Sequence, residues 1–313
     1  MSSQPMRRLL LRAAIFSLPF ILLTAFVAAV DPFDCLGLFN LVSEPIKSFS
    51  AEPLQNAVWK LQKFSRTPVS RLILGDSSMA VIDTDKVRAF TGQNYFNFAY
   101  GGGTLVEAID TYWYAAAKTH LDAVYLGVSI INFNEYQNLN RVPEAEAMVA
   151  NPLKYLTNRI VIAAAFISAY SAFTGQSVNL ATPTVSRDAF WQQQINESLV
   201  QLLHEYRYPD AVAAQLERMA ADCRRHGTQL TIIIPPTNIE LQAKVVALGR
   251  GGDVDRLKAF VATLGTVYDL DYPNAFTSVR ENFLDPFHAA IDDTLVREVW
   301  GDGRQFSRRT PPR

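Results

Sequence analysis

The alternation of apolar and polar positions is first broken at the N-terminus. Arg7, Arg8 and Arg12 precede Ala13 to Val30, a run without a charged residue. Crossing a bilayer's hydrocarbon core takes roughly 20 apolar residues, so the run is close to spanning length. Basic residues on its N-terminal side hold that end in the cytoplasm and send the rest of the chain outward. A cleaved secretory signal is the competing reading, with Val27 and Ala29 at small-residue cleavage positions. Signal cores run to about 7–15 apolar residues, which favours an uncleaved anchor. Either reading exports the body: a single-pass protein with a periplasmic C-terminal domain, or a secreted one after cleavage.

Beyond the anchor the pattern alternates between short apolar runs and amphipathic stretches. Arg71 to Gly75, Tyr95 to Tyr100, Ala123 to Val128, Gln229 to Ile234 and Val267 to Leu270 read as strands. Thr104 opens a helix to about Thr119, with Glu107 spaced to complete a capping box. Further helices are predicted at about 188–204, 209–226 and 253–264. Strands separated by helices imply parallel pairing through crossovers, hence a three-layer α/β/α sandwich around a parallel, flavodoxin-like five-stranded sheet. The divisions are an anchor or signal segment over 1–30, a connector over 31–67 and a catalytic domain over 68–300. That domain carries an insertion at about 132–186, expected to act as a lid or to pack on a partner. The tail, 301–313, is expected to be disordered.

Composition excludes several classes. With 29 basic and 30 acidic side chains the net charge is −1, which gives no footprint for nucleic acid. Two cysteines, Cys35 and Cys223, rule out a disulfide scaffold and a four-thiolate metal site. The four histidines show no ligand-spaced pair, so neither a metal nor any other cofactor is implied. His120, His204 and His226 fall in or at the ends of predicted helices and are read as solvated.

In an open parallel sheet, ligands gather beyond the carboxyl ends of the strands. There the chain places Gly75-Asp76-Ser77-Ser78, Asn97 to Thr104, and Gly127 to Asn132, with Asp285-Pro286-Phe287-His288 near the C-terminus. An acyl-transferring serine needs a base in reach and a carboxylate that orients that base. Asp285 and His288 are three residues apart, so a helical turn or a tight loop lets both face one point. Small residues at Gly101 to Gly103 let backbone N–H groups approach an oxyanion. Thr237 and Asn238, at the end of the fourth strand, are expected to line the pocket with Asp76 and Ser78. Glu107 and Asp110 read as exposed helix charges, and Tyr112, Trp113 and Tyr114 as packing residues rather than a glycan platform.

These blocks resemble those of the SGNH (GDSL-type) hydrolases and acyltransferases: Gly75-Asp76-Ser77, then Asn97-Phe-Ala-Tyr-Gly-Gly102, then Asp285-Pro-Phe-His288. The resemblance covers residues 68 to 300. By position it implies Ser77 as nucleophile, His288 as base and Asp285 as its orienting acid, with the N–H groups of Ser77 and Gly102 as oxyanion donors. The family's third block, Gly-x-Asn-Asp, reads here Gly127-Val-Ser129-Ile130, so Ser129 or Asn132 (or Asn134) must supply the missing donor. Anchor, size and insertion are similar to exported members that work with membrane-bound O-acyltransferases to acylate cell-surface polysaccharide. That likeness implies an acyl donor, a glycan hydroxyl acceptor and such a membrane partner. A glycan or lipid esterase, and a silent scaffold with the same fold, are the alternatives.

Overall fold

A computed structural model of the chain describes residues 4–39, 41–176, 185–290, 293–301 and 305–311. The chain divides into two compact units, Met1–Arg66 with Val142–Thr182, and Thr67–Arg141 with Pro183–Arg313.

The first unit is helical. It contains α1 (Gln4–Val30), α2 (Glu44–Ser50) and α3 (Asn56–Arg66), then α7 (Val142–Ala150), α8 (Pro152–Thr157) and α9 (Arg159–Thr174). Residues 142–176, the described helical part of the expected insertion, thus fold with the N-terminal segments. Most of α1 is exposed and apolar, but its last turn is not: Val27 and Val30 are buried, as is Phe33 just beyond. The chain leaves α1 through a knot centred on Asp31, which is fully buried. One carboxylate oxygen accepts from the Cys35 N–H (2.9 Å) and the Tyr155 hydroxyl (2.8 Å), the other from the N–H groups of Leu36 (2.9 Å) and Gly37 (2.8 Å). A buried carboxylate persists only with its acceptors filled in this way. Beside the knot, buried Lys47 pairs with Asp34.

The second unit is an α/β sandwich. Its strands are β1 (Arg71–Leu74), β2 (Phe96–Asn97), β3 (Ala123–Gly127), β4 (Gln229–Ile234) and β5 (Thr266–Asp269), in the order β2-β1-β3-β4-β5, all parallel. This is the flavodoxin-like order, with its switch point between β1 and β3. The helices are α4 (Ser77–Ala80), α5 (Thr84–Thr91), α6 (Leu105–Ala116), α10 (Arg187–Gln193), α11 (Leu199–Leu203), α12 (Asp210–His226), α13 (Ile239–Ala247), α14 (Gly251–Val261) and α15 (Asp293–Trp300). A π-turn at Gln194–Ser198 links α10 to α11. On one face α6 packs on β1 and α12 on β4. On the other, Ile73, Ile233 and Tyr268 share a cluster with Val87 of α5 and Val296 and Val299 of α15. A parallel sheet covered on both faces needs such continuous apolar strands, and Leu72, Ile73 and Leu74 are all fully buried.

Two expectations are corrected. A sixth strand, β8 (Arg308–Thr310), pairs antiparallel with β5 inside the tail expected to be disordered; residues 302–304 and 312–313 of that tail lie outside the described residues. Arginine content suggested a solvated tail, but an edge strand needs only one face covered, and the Arg308 guanidinium lies 3.6 Å from the Tyr272 ring centroid. Glu107 is also not an exposed helix charge. It is fully buried, and its carboxylate accepts from Arg141 Nε (2.5 Å), Nη2 (2.8 Å) and backbone N–H (3.0 Å) while completing the capping box with Thr104. Asp110 is half-buried, bonded by Asn140 Nδ2 at 2.7 Å.

Candidate active site

Three loops meet beyond the carboxyl ends of β1, β2 and β3. Gly75, at φ +143°, ends β1 in a conformation that side chains rarely adopt, and a Cβ there would lie 2.7 Å from Met79 Cγ. The chain thereby turns abruptly into α4, with Asp76 accepting from the Ser78 N–H (2.9 Å) and Ser77 standing at the start of the helix. Asn97, at the end of β2, clips this turn in place: its Nδ2 reaches the carbonyls of Met79, Ala80 and Ile82. Tyr100 N–H donates to the Gly75 carbonyl at 3.0 Å. A Cβ on Gly103 would lie 3.0 Å from that same carbonyl and 2.9 Å from the carbonyl of Tyr100. The glycine loop therefore sits directly against the serine turn, at a separation only glycine permits.

Asp285 and His288 end and begin the two strands of a small antiparallel hairpin, β6 (Phe283–Asp285) and β7 (His288–Ala289). Of the two geometries open at the sequence level, the tight loop is the one formed. The Asp285 carboxylate accepts the backbone N–H groups of Phe287 (2.8 Å) and His288 (3.1 Å), and the imidazole Nδ1 at 2.8 and 2.9 Å. Because Nδ1 faces a carboxylate it carries the ring proton, which leaves Nε2 as an acceptor. Ser77 Oγ lies 2.7 Å from that Nε2. Two segments 211 residues apart in sequence thus form one hydrogen-bonded chain from Ser77 through His288 to Asp285.

Electrostatics follow from the contacts. His288 is held above the ordinary imidazole value, chiefly by its hydrogen bond to Asp285; burial opposes this, and the charges of Asp285 and Asp76 add to it. Burial pushes the Asp76 carboxyl up, against the hydrogen bonds from Ser78 and Asn132 and the nearby His288.

The expected oxyanion donors fare differently. Among the described hydrogen bonds none takes up the N–H of Ser77 or of Gly102. Asn132 is buried, gives one Nδ2 hydrogen to Asp76 (2.9 Å) and keeps a second for another acceptor. Ser129 gives its backbone N–H to Asn132 Oδ1 (2.8 Å), so only its hydroxyl remains to donate. Asn134 is turned away, donating to the Leu202 carbonyl at 3.0 Å.

The pocket residues divide too. Ser78 borders a narrow apolar crevice with Met79, Ile82, Pro235 and Trp300. Thr237 lies on a separate cleft of about 480 Å³ and donates its hydroxyl and N–H to Asp271. Asn238, expected to line the pocket, is instead 1% exposed. It caps α13, and its N–H holds the Pro286 carbonyl at 3.0 Å, which braces the histidine hairpin. Sequence reasoning missed Arg141, which neutralises Glu107 and reaches the Gly101 carbonyl at 3.3 Å. No motif marks it, since its partner lies 34 residues upstream.

No family model and no curated protein matches this chain. Among solved structures, it is similar to one described as a candidate platelet activating factor from Streptococcus pneumonia, at 11% identity and a TM-score of 0.37, over 77% of this chain and 86% of that one. A candidate acylhydrolase from Bacteroides fragilis matches at 11% identity and a TM-score of 0.38, over 77% of this chain and 94% of that one. Likenesses this distant carry no argument about chemistry, which rests on the site itself.

Proposed function

We propose that the chain is a membrane-anchored, extracytoplasmic serine-dependent O-acyltransferase or esterase of the SGNH type, carrying a short acyl group through an acyl-Ser77 intermediate. The observation behind this reading is the 2.7 Å contact from Ser77 Oγ to a histidine whose other nitrogen is held by Asp285. Ser77 Oγ attacks the ester carbonyl as its proton passes to His288 Nε2, and Asp285 stabilises the imidazolium that forms. The oxyanion is met by the N–H groups of Ser77 and Gly102, with the second Nδ2 hydrogen of Asn132 within the same set of loops. His288 then protonates the departing alcohol. An acceptor hydroxyl, or water, then attacks the acyl carbonyl as its proton passes to His288, and the imidazolium returns that proton to Ser77 Oγ as the acyl–serine bond breaks. A glycan hydroxyl as acceptor makes the reaction a transfer; water makes it hydrolysis.

Burial around the end of α1 supports retention of the anchor. Val27, Val30, Asp31 and Phe33 are at most 4% exposed, so cleavage after Ala29 would cut through packed chain. A membrane-bound O-acyltransferase delivering the acyl group fits an anchored acceptor enzyme, and belongs to the same proposal.

Reaction of the full chain with a fluorophosphonate, followed by mass spectrometry, tests the nucleophile. Label is expected on Ser77 and its loss in both Ser77→Ala and His288→Ala. Ser77→Ala should also lower ester turnover by ~10³-fold or more, as in other triads. A folded protein that takes no label would point to a silent scaffold and sink the proposal.

A further inference from the structure

Helix α9 is built inside out for a helix in water. Its buried positions are Val161 in the first turn and, from there on, only small residues, Ala164, Ala165, Ser168 and Ser171, while Phe166, Tyr170 and Phe173 point outward at 54%, 50% and 93% exposure. A water-facing helix does the reverse and turns its large apolar side chains toward the core. Helices packed in lipid bring small residues together and present large apolar ones to acyl chains, because lipid offers no hydrophobic drive to hide them. A hydrogen bond between small polar side chains accompanies this packing: Ser168 Oγ lies 2.8 Å from Ser50 Oγ of α2.

Two further observations identify what covers the outward face. Phe166 packs on Phe26 near the end of α1, ring centroids 4.8 Å apart, so the exposed face of α9 continues the apolar surface of α1. No charged residue occurs from Ile160 to Ser186. A face meant for a protein partner would carry a polar rim; along α9 no charged side chain follows Arg159. Sixteen residues rise about 24 Å, short of the roughly 30 Å hydrocarbon core.

We infer that α9 is immersed, without spanning, in the non-cytoplasmic half of the bilayer that α1 crosses, with Phe166, Tyr170 and Phe173 against acyl chains. This rests on α1 as a membrane span and is independent of the serine chemistry.

The test uses the full chain in phosphatidylcholine vesicles, with single cysteines introduced by F166C, Y170C and F173C and labelled with an environment-sensitive NBD fluorophore. F16C in α1 and E217C on exposed α12 are the lipid and water references, and the unsubstituted chain corrects for Cys35 and Cys223. All three α9 positions are expected to emit blue-shifted relative to E217C. Lipids with doxyl-labelled acyl chains should quench them at least half as strongly as they quench F16C. Emission and quenching like those of E217C would overturn the inference. So would a blue shift without doxyl quenching, which would mean that a second copy or another protein covers the face. An F16C label that doxyl lipids do not quench would instead remove the span on which the inference depends.

Discussion

At the scale of single residues, the Asp285–His288 contact sets how the site responds to pH. A general base works only when neutral, and Asp285 holds His288 above the ordinary imidazole value. The acid limb of the rate profile should therefore inflect above about 6.5, the unperturbed histidine value. Asp285→Asn should move that inflection to lower pH and cut turnover by ~10³–10⁴-fold, because the ring loses the partner that fixes its tautomer. Profiles of kcat/KM against pH for both proteins decide the point; an unmoved inflection would remove Asp285 from its role. Stability carries the same sign. A histidine raised in the folded state stabilises fully below its unfolded value, and that contribution is lost as pH rises through the raised folded value. Melting temperature should fall across that window in the parent chain and less steeply in Asp285→Asn.

At the scale of elements, the glycine loop is held from two directions, and each is open to a substitution. Gly103→Ala places a methyl 2.9–3.0 Å from two backbone carbonyls, neither of which can rotate away. A loss of about 1–3 kcal/mol is expected for such overpacking, with turnover falling further than stability because the displaced segment bears the Gly102 N–H. Arg141→Leu leaves the fully buried Glu107 without its guanidinium partner, a loss of about 3–5 kcal/mol, readable by urea titration. The strands that carry the site were legible because each is a short apolar run ending in glycine, proline or a polar block. β4 matches its expected bounds, Gln229 to Ile234, to the residue. That Ser77, Asp285 and His288 would meet was legible because a hydrogen-bonded chain of this kind constrains residue type as well as spacing. Glu107 was misread and Arg141 missed for one reason: a buried ion pair between distant segments leaves no periodicity. β8 escaped notice because an edge strand can be as polar as a loop, and Asn238 because capping and pocket lining favour the same residue types.

At the scale of the whole chain, the end of helix α1 is part of a packed core. A shortened protein beginning at residue 32 would lose Val27 and Val30 from the core of the helical unit, along with the Asp31 carboxylate that gathers four donors. Removing that acceptor alone should cost about 3 kcal/mol. Limited proteolysis should accordingly cut residues 33–66 and 142–176 of the shortened protein much faster than those of the full chain. Equal protection in both would mean that the end of α1 adds nothing to that core.

The strand β8 also bears on handling of the protein. By pairing with β5, the three-residue β8 covers the row of backbone groups on β5 and makes the edge on that side a short strand carrying Arg308 and Arg309, a poor template for another molecule to extend. Trimming the chain after residue 304, as a seemingly harmless tidying of an arginine-rich tail, would uncover that row. In detergent that covers α1 and α9, the shortened form should self-associate with rising concentration in light scattering, while the intact form stays monodisperse.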